Sequence, residues 1–311
     1  MARLKSERHH WWPECVSARW ANPEGGVHWM RPDGETTCTT PNNFGVIGNG
    51  HFIKFGSDPT EPTSWDENFE PEFQRADDNF PAVIDWLDTL DRAGPPFERL
   101  IKDRIKPVDA SDQQFAQLME CIISLAVRSP KHREGAVRLA EHLRGPLEQR
   151  ERNSLIGVNM RHSQRDAVKQ IGTRGKAMII FSAEREFIFG DDFYHNFSVP
   201  VQHLSEPKML VPLTPWMSVL YARPRSYRTA PRLFTMAASA AEVDALNNAV
   251  QVYARNQIFY RSERPQITDA FARGTHLVFK DHRNSVDELI HHIPGIQPRN
   301  TNLDWLTERS D

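Results

Sequence analysis

The chain has 311 residues, 39% hydrophobic and 10% aromatic, and its 38 Lys and Arg against 41 Asp and Glu give a formal net charge of −3. This is enough apolar chain for one large domain or two modest ones, and the balance lacks the broad basic footprint of a binder of nucleic acid or anionic membrane, although a local basic groove stays open. Cys15, Cys38 and Cys121 form no CxxC pair, the charged start has no signal-peptide core, and no apolar run is of bilayer length, so neither a zinc ribbon nor a disulfide framework is supported, secretion and membrane insertion are argued against, and a soluble cytoplasmic protein is expected.

The stretch RHHWWPEC at 8–15 opens the pattern. Adjacent histidines point to opposite faces of an extended segment, so the pair is a poor chelate by itself. One of them could face a polar site. In the other reading the Trp-Trp-Pro run packs as a plug and the imidazole holds a backbone carbonyl. Cys15 reads as a small buried hydrophobe. Two short β-prone runs around Pro32-Asp33-Gly34 predict a hairpin. The Gly- and Asn-rich run at 42–59 predicts loops and short strands, and it matches neither phosphate-loop pattern.

From Asp66 to Leu90 the spacing turns helical, with Phe73, Ala76, Phe80, Val83, Ile84 and Leu87 on one stripe, and Gly-Pro-Pro at 94–96 breaks it. Ser111 and Gln114 form a capping box that opens a second helix, whose apolar face runs from Phe115 to Ala126. Further helices are expected over about 131–152 and 160–171. Arg128 ends an apolar helix face, where a cation suits the helix dipole; alternatively Arg128 and Arg133 grip a phosphate or carboxylate.

The character changes at Lys176. Two strands are read in 176–193, the second leaving through Gly190-Asp191-Asp192, and two more in 208–224, interrupted by Pro212 and Pro215. Acidic side chains at a strand end can ligate Mg²⁺ or Mn²⁺ or act as a general base, but they are also ordinary turn residues. Ser239 and Glu242 cap a late helix, on whose apolar stripe Asn247 must find hydrogen bonds, from the neighbouring Pro-Leu-Thr-Pro backbone or from a site. Beyond Arg264 the tail reads as irregular, with a possible strand in THLVFK (275–280) and a solvated His291-His292. Strands and helices come in blocks, which favours α+β. Residues 1–262 are expected to form one domain and 263–311 an irregular extension.

Six landmarks in order resemble a bacterial family known as domain-of-unknown-function family 4238. They are Arg8 to Pro13 running on to Arg19-Trp20; Asp77 in ADDNFPAVI; Arg128-Ser-Pro-Lys-His-Arg133; the Asp turn of FIFGDDF; PLTP at 212–215; and Asn247 in VDALNNAV. Asp77 stands where the family more often has Glu, and the Pro usual two residues after the Asp of the turn is absent. The resemblance covers about residues 8–260 and implies a shared fold without an activity. It singles out His10 as the histidine facing a site, and it makes Asp77 and Asp191 the carboxylates of interest.

Together His10, Asp77 and Asp191 suit a divalent-metal centre and catalytic set, with Mg²⁺ or Mn²⁺ as cofactor. Arg128, Arg133 and Asn247 would bind a phosphodiester in a nucleic acid or nucleotide. The competing expectation is a non-catalytic module that binds a ligand or partner through its Trp-rich start, Trp11, Trp12, Trp20 and Trp29. Convergence of His10, Asp77 and Asp191 favours the hydrolase; their separation favours the binder.

Overall fold

Local signals place most helices, and long-range pairing places the strands. The computed structural model describes residues 8–48, 52–53, 67–92, 100–194, 207–273 and 285–296. In chain order the elements are β1 (Arg8–His10), α1 (Glu14–Ser17), β2 (Val27–Met30), β3 (Thr36–Thr39), β4 (Val46–Gly48), β5 (Phe52–Ile53), β6 (Glu67–Asn68), α2 (Pro71–Asp88), α3 (Ile101–Arg104) and β7 (Lys106–Val108). Three longer helices follow, α4 (Asp112–Arg128), α5 (Pro130–Arg144) and α6 (Gln149–Ile171). The second half holds β8 (Lys176–Ser182), β9 (Phe189–Gly190), β10 (Lys208–Thr214), β11 (Met217–Ala222), β12 (Leu233–Ala238), α7 (Ala240–Tyr253), β13 (Ile258–Tyr260), α8 (Asp269–Ala272) and α9 (Ser285–His292).

The fold is α+β. A five-stranded sheet has the order β10-β11-β8-β12-β7, and its pairs are antiparallel except β8 with β12, which run parallel. A four-stranded antiparallel sheet has the order β3-β2-β13-β9. All seven residues of β8 are buried, which is why KAMIIFS reads as a nearly continuous apolar run rather than an alternation.

The expected stripe of α2 is the buried one: Phe73, Ala76, Phe80, Val83, Ile84 and Leu87. Both capping boxes form, at Ser111 with Gln114 and at Ser239 with Glu242. The hairpin around Pro32 to Gly34 is β2 with β3.

Several expectations shift. The break expected after residue 152 falls instead at 145–148, where Gly145 takes φ +82° ahead of Pro146, so α6 is one helix of 23 residues. Pro212 does not interrupt its strand. β10 lies at the sheet edge, where a missing N–H is tolerated, and the register shifts between Pro212 and Thr214. The tail carries two short helices, and Phe271, Val286, Leu289, Ile290, Ile293 and Ile296 join the buried core. His291 and His292 are exposed on the end of α9. Gly-Pro-Pro at 94–96, THLVFK at 275–280 and much of the Gly-rich run beyond residue 48 lie outside the described residues.

Candidate functional site

The opening stretch is an aromatic plug. Trp12 is fully buried and stacks on Phe189 of β9 with ring centroids 4.4 Å apart; Trp11, Phe44 and Phe259 close around them. Trp20 donates its indole N–H to the carbonyl of Leu213 in PLTP at 3.1 Å. His10, half-buried, places Nδ1 3.2 Å from the carbonyl oxygen of Phe44.

Asp77 lies elsewhere, on α2. Both its carboxylate oxygens meet the Arg128 guanidinium, at 3.0 and 2.5 Å. Arg128 is fully buried at the end of α4, lies over the Phe73 ring at 4.8 Å and also donates to Ser124. Pro81, inside α2, has no N–H to give the carbonyl of Asp77 four residues earlier. The Cys15 thiol approaches that carbonyl at 3.8 Å. One residue therefore joins α1, α2 and α4.

Asp191 sits in a third place. Its carboxylate accepts from the backbone N–H groups of Arg255 and Asn256 at 2.7 and 2.9 Å and from the Asn256 side chain at 3.0 Å, tying the exit of β9 to the α7–β13 turn. Burial pushes its carboxyl upward, against the pull of those donors. Asn247 accepts from the Ile188 N–H and donates to the Glu186 carbonyl, both at 3.0 Å, so it braces the approach to β9 and not the PLTP backbone.

These placements do not bring the expected site together. His10, Asp77 and Asp191 engage three separate partners, and among the described residues no group of three His, Cys, Asp or Glu is placed to hold a metal ion. The carboxylate oxygens of Asp77 and Asp191 are already engaged by a buried guanidinium and by backbone donors, which does not fit them to a shared Mg²⁺ or Mn²⁺ ion. Arg128 is too deeply enclosed to touch a substrate. Arg133 carries its Nη1 against the sulfur of Met160 at 3.4 Å, and burial, aided by the charge of Arg152, pushes it down to about 10.

What the landmarks do bring together is a linked cluster of charged and aromatic side chains, the bowl, where the start of α5 meets the exit of β9. The fully buried Asp192 pairs with Lys131 at 3.1 Å. The first turn of α5 has no acidic side chain of its own, so this carboxylate supplies the negative charge that a helix start favours. The Lys131 ammonium lies 4.7 Å from the Tyr253 ring centroid, and Tyr253 meets Tyr194 edge-on at 5.2 Å. Tyr194 donates to Asp287 of α9 at 3.1 Å, and Lys208 reaches the same oxygen at 2.5 Å. Arg255 pairs with Glu134 at the rim. Burial, with Asp287 beside it, holds the Tyr194 hydroxyl protonated far into the alkaline range.

The acidic doublet is the one signal in the sequence for this bowl, and Asp192, not Asp191, carries it. Lys131, Tyr194, Lys208 and Asp287 carry no spacing that links them. Compared with known proteins, the chain matches no family model, no curated protein and no solved structure.

Proposed function

We propose that the protein is a non-catalytic binding module that takes a small ligand with an anionic group, a phosphate or carboxylate, in the bowl at the start of α5. The observation that carries this reading is the layering of charge. The side chains of Lys131 and Lys208 are 34% and 28% exposed, whereas the carboxylates under them, Asp192 and Asp287, are 1% and 13% exposed. Buried anions hold the ammonium groups in place while the lysine side chains stay partly exposed above them, an arrangement in which a rigid supporting shell can present charge to a ligand. Arg255, 27% exposed, extends the cationic rim, while its partner Glu134 tempers it.

The metal-dependent hydrolase gains no support from the placement of His10, Asp77 and Asp191. Calorimetric titration with inorganic phosphate and with a nucleoside monophosphate tests the binding reading. Saturable binding that weakens at least tenfold in Lys131→Ala, with the fold retained, is expected. Equal affinity in the two proteins, or no binding of either probe, would overturn it.

A further inference from the structure

Lys176 stands outside everything described so far. It is the first residue of β8, fully buried, and among the described residues its Nζ makes one hydrogen bond, to the Pro231 carbonyl at 2.6 Å, with the Phe234 ring centroid 5.0 Å away. Gly295 covers it, with φ +85° and so little room that a Cβ there would lie 3.2 Å from both Cε and Nζ of the lysine.

The segment that covers Lys176 is continuous with a wall of the bowl. From α9 to Ile296 it buries Val286, Leu289, Ile290, Ile293 and Ile296. Its far end is pinned by Arg228 N–H to Gly295 carbonyl at 3.0 Å and by a bridge between Tyr227 and Ile296. Its near end carries Asp287, which holds Tyr194 and Lys208.

We propose that residues 285–296 form a strap closing one side of the bowl, and that Lys176 is the clasp which sets how firmly the strap is held. A buried ammonium with one carbonyl acceptor is poorly compensated, so lifting the strap to admit water relieves it, while the neutral amine has no such drive. The groups around it do not supply the missing anion. Tyr221 of β11 donates to the Arg174 carbonyl, Tyr227 accepts from the Gly175 N–H, Arg228 lies beside Gly295, and on α9 Asp287 is held by Tyr194 and Lys208 while Glu288, His291 and His292 are exposed. Among the described residues no carboxylate pairs with Lys176. Burial pushes its amine down to about 8 from an ordinary 10.5. The closed strap therefore favours the neutral form, and opening diminishes as pH rises from about 8 towards 10.5.

The link from strap to ligand rests on the binding reading above; the strap itself does not. The test is limited proteolysis of the full chain with proteinase K at pH 7.5 and 9.5, with cleavage sites mapped by mass spectrometry and rates normalised to an unfolded peptide. This window avoids most free histidine and tyrosine titration. Cleavage within 285–296 is expected to fall about tenfold from pH 7.5 to 9.5 in the wild type. In Lys176→Met it should be slow and independent of pH, and in Gly295→Ala faster at pH 7.5. A pH-independent rate in the wild type overturns the proposal even if Lys176→Met does not fold, and so does the same pH response in a folded Lys176→Met. Strap behaviour as expected without phosphate binding would leave the clasp standing and remove only the ligand reading.

Discussion

Removing the Asp77 carboxylate would leave the Arg128 guanidinium charged, enclosed and without its anion, the situation in which breaking a buried pair costs most. Asp77→Ala is expected to lower stability by about 3–5 kcal/mol in urea unfolding, whereas Asp77→Leu with Arg128→Met recovers most of the loss; a loss below about 1 kcal/mol would contradict the structural role. Lys176 makes a prediction of opposite character, because its partner is missing from the start. With its folded value near 8 and an unfolded value near 10.5, both states are protonated below pH 8 and the burial penalty is fully present. Between those values the unfolded chain binds the extra proton, so stability rises with pH, by up to about 3 kcal/mol from this group. Urea midpoints measured from pH 7 to 9.5 should climb in the wild type and stay level in Lys176→Met.

At the scale of elements, Pro81 interrupts a helix whose other features are consistent with one another. Pro81→Ala restores an N–H to the Asp77 carbonyl and is expected to raise stability by about 1–3 kcal/mol, read from the shift in thermal midpoint; a lower midpoint would mean that the Cys15 contact matters more than the helix bond. Asn247→Ala strips two buried backbone groups before β9 of their partners and should cost about 2–3 kcal/mol by the same measurement. The elements legible in the sequence are those with local causes: the stripe of α2, the capping boxes of α4 and α7, the Pro-Asp-Gly hairpin. What stayed hidden is non-local. β12 is a short apolar run, LFTMAA, with no period of its own, and it becomes a strand because β8, more than fifty residues earlier, lies parallel to it. In the same way, Arg128 reads as a helix-end cation, and nothing in its spacing shows that its anion is 51 residues upstream. The candidate site was legible only as the acidic doublet, since turn chemistry gives no reason to choose Asp192, whose role depends on a lysine 61 positions earlier.

Across the whole molecule the landmark residues form a brace. The plug of Trp11 and Trp12 meets β9, Asp191 and Asn247 hold β9 from either side, Asp77 and Arg128 lock α2 to α4, and Trp20 holds PLTP. The Asp77–Arg128 pair, Asp191 and Asn247 keep their geometry because each is held by two or more hydrogen bonds. The half-exposed charges of the bowl stand on that rigid base. The most direct measurement is calorimetric titration of inorganic phosphate into the wild type and into Lys131→Ala and Asp191→Asn, with folding verified by thermal unfolding and with Mg²⁺ present or chelated. The binding account predicts saturable phosphate binding that is lost in Lys131→Ala, retained in folded Asp191→Asn, and indifferent to Mg²⁺. Binding that requires Mg²⁺ and disappears in Asp191→Asn would contradict it and return the carboxylates to the centre of the chemistry.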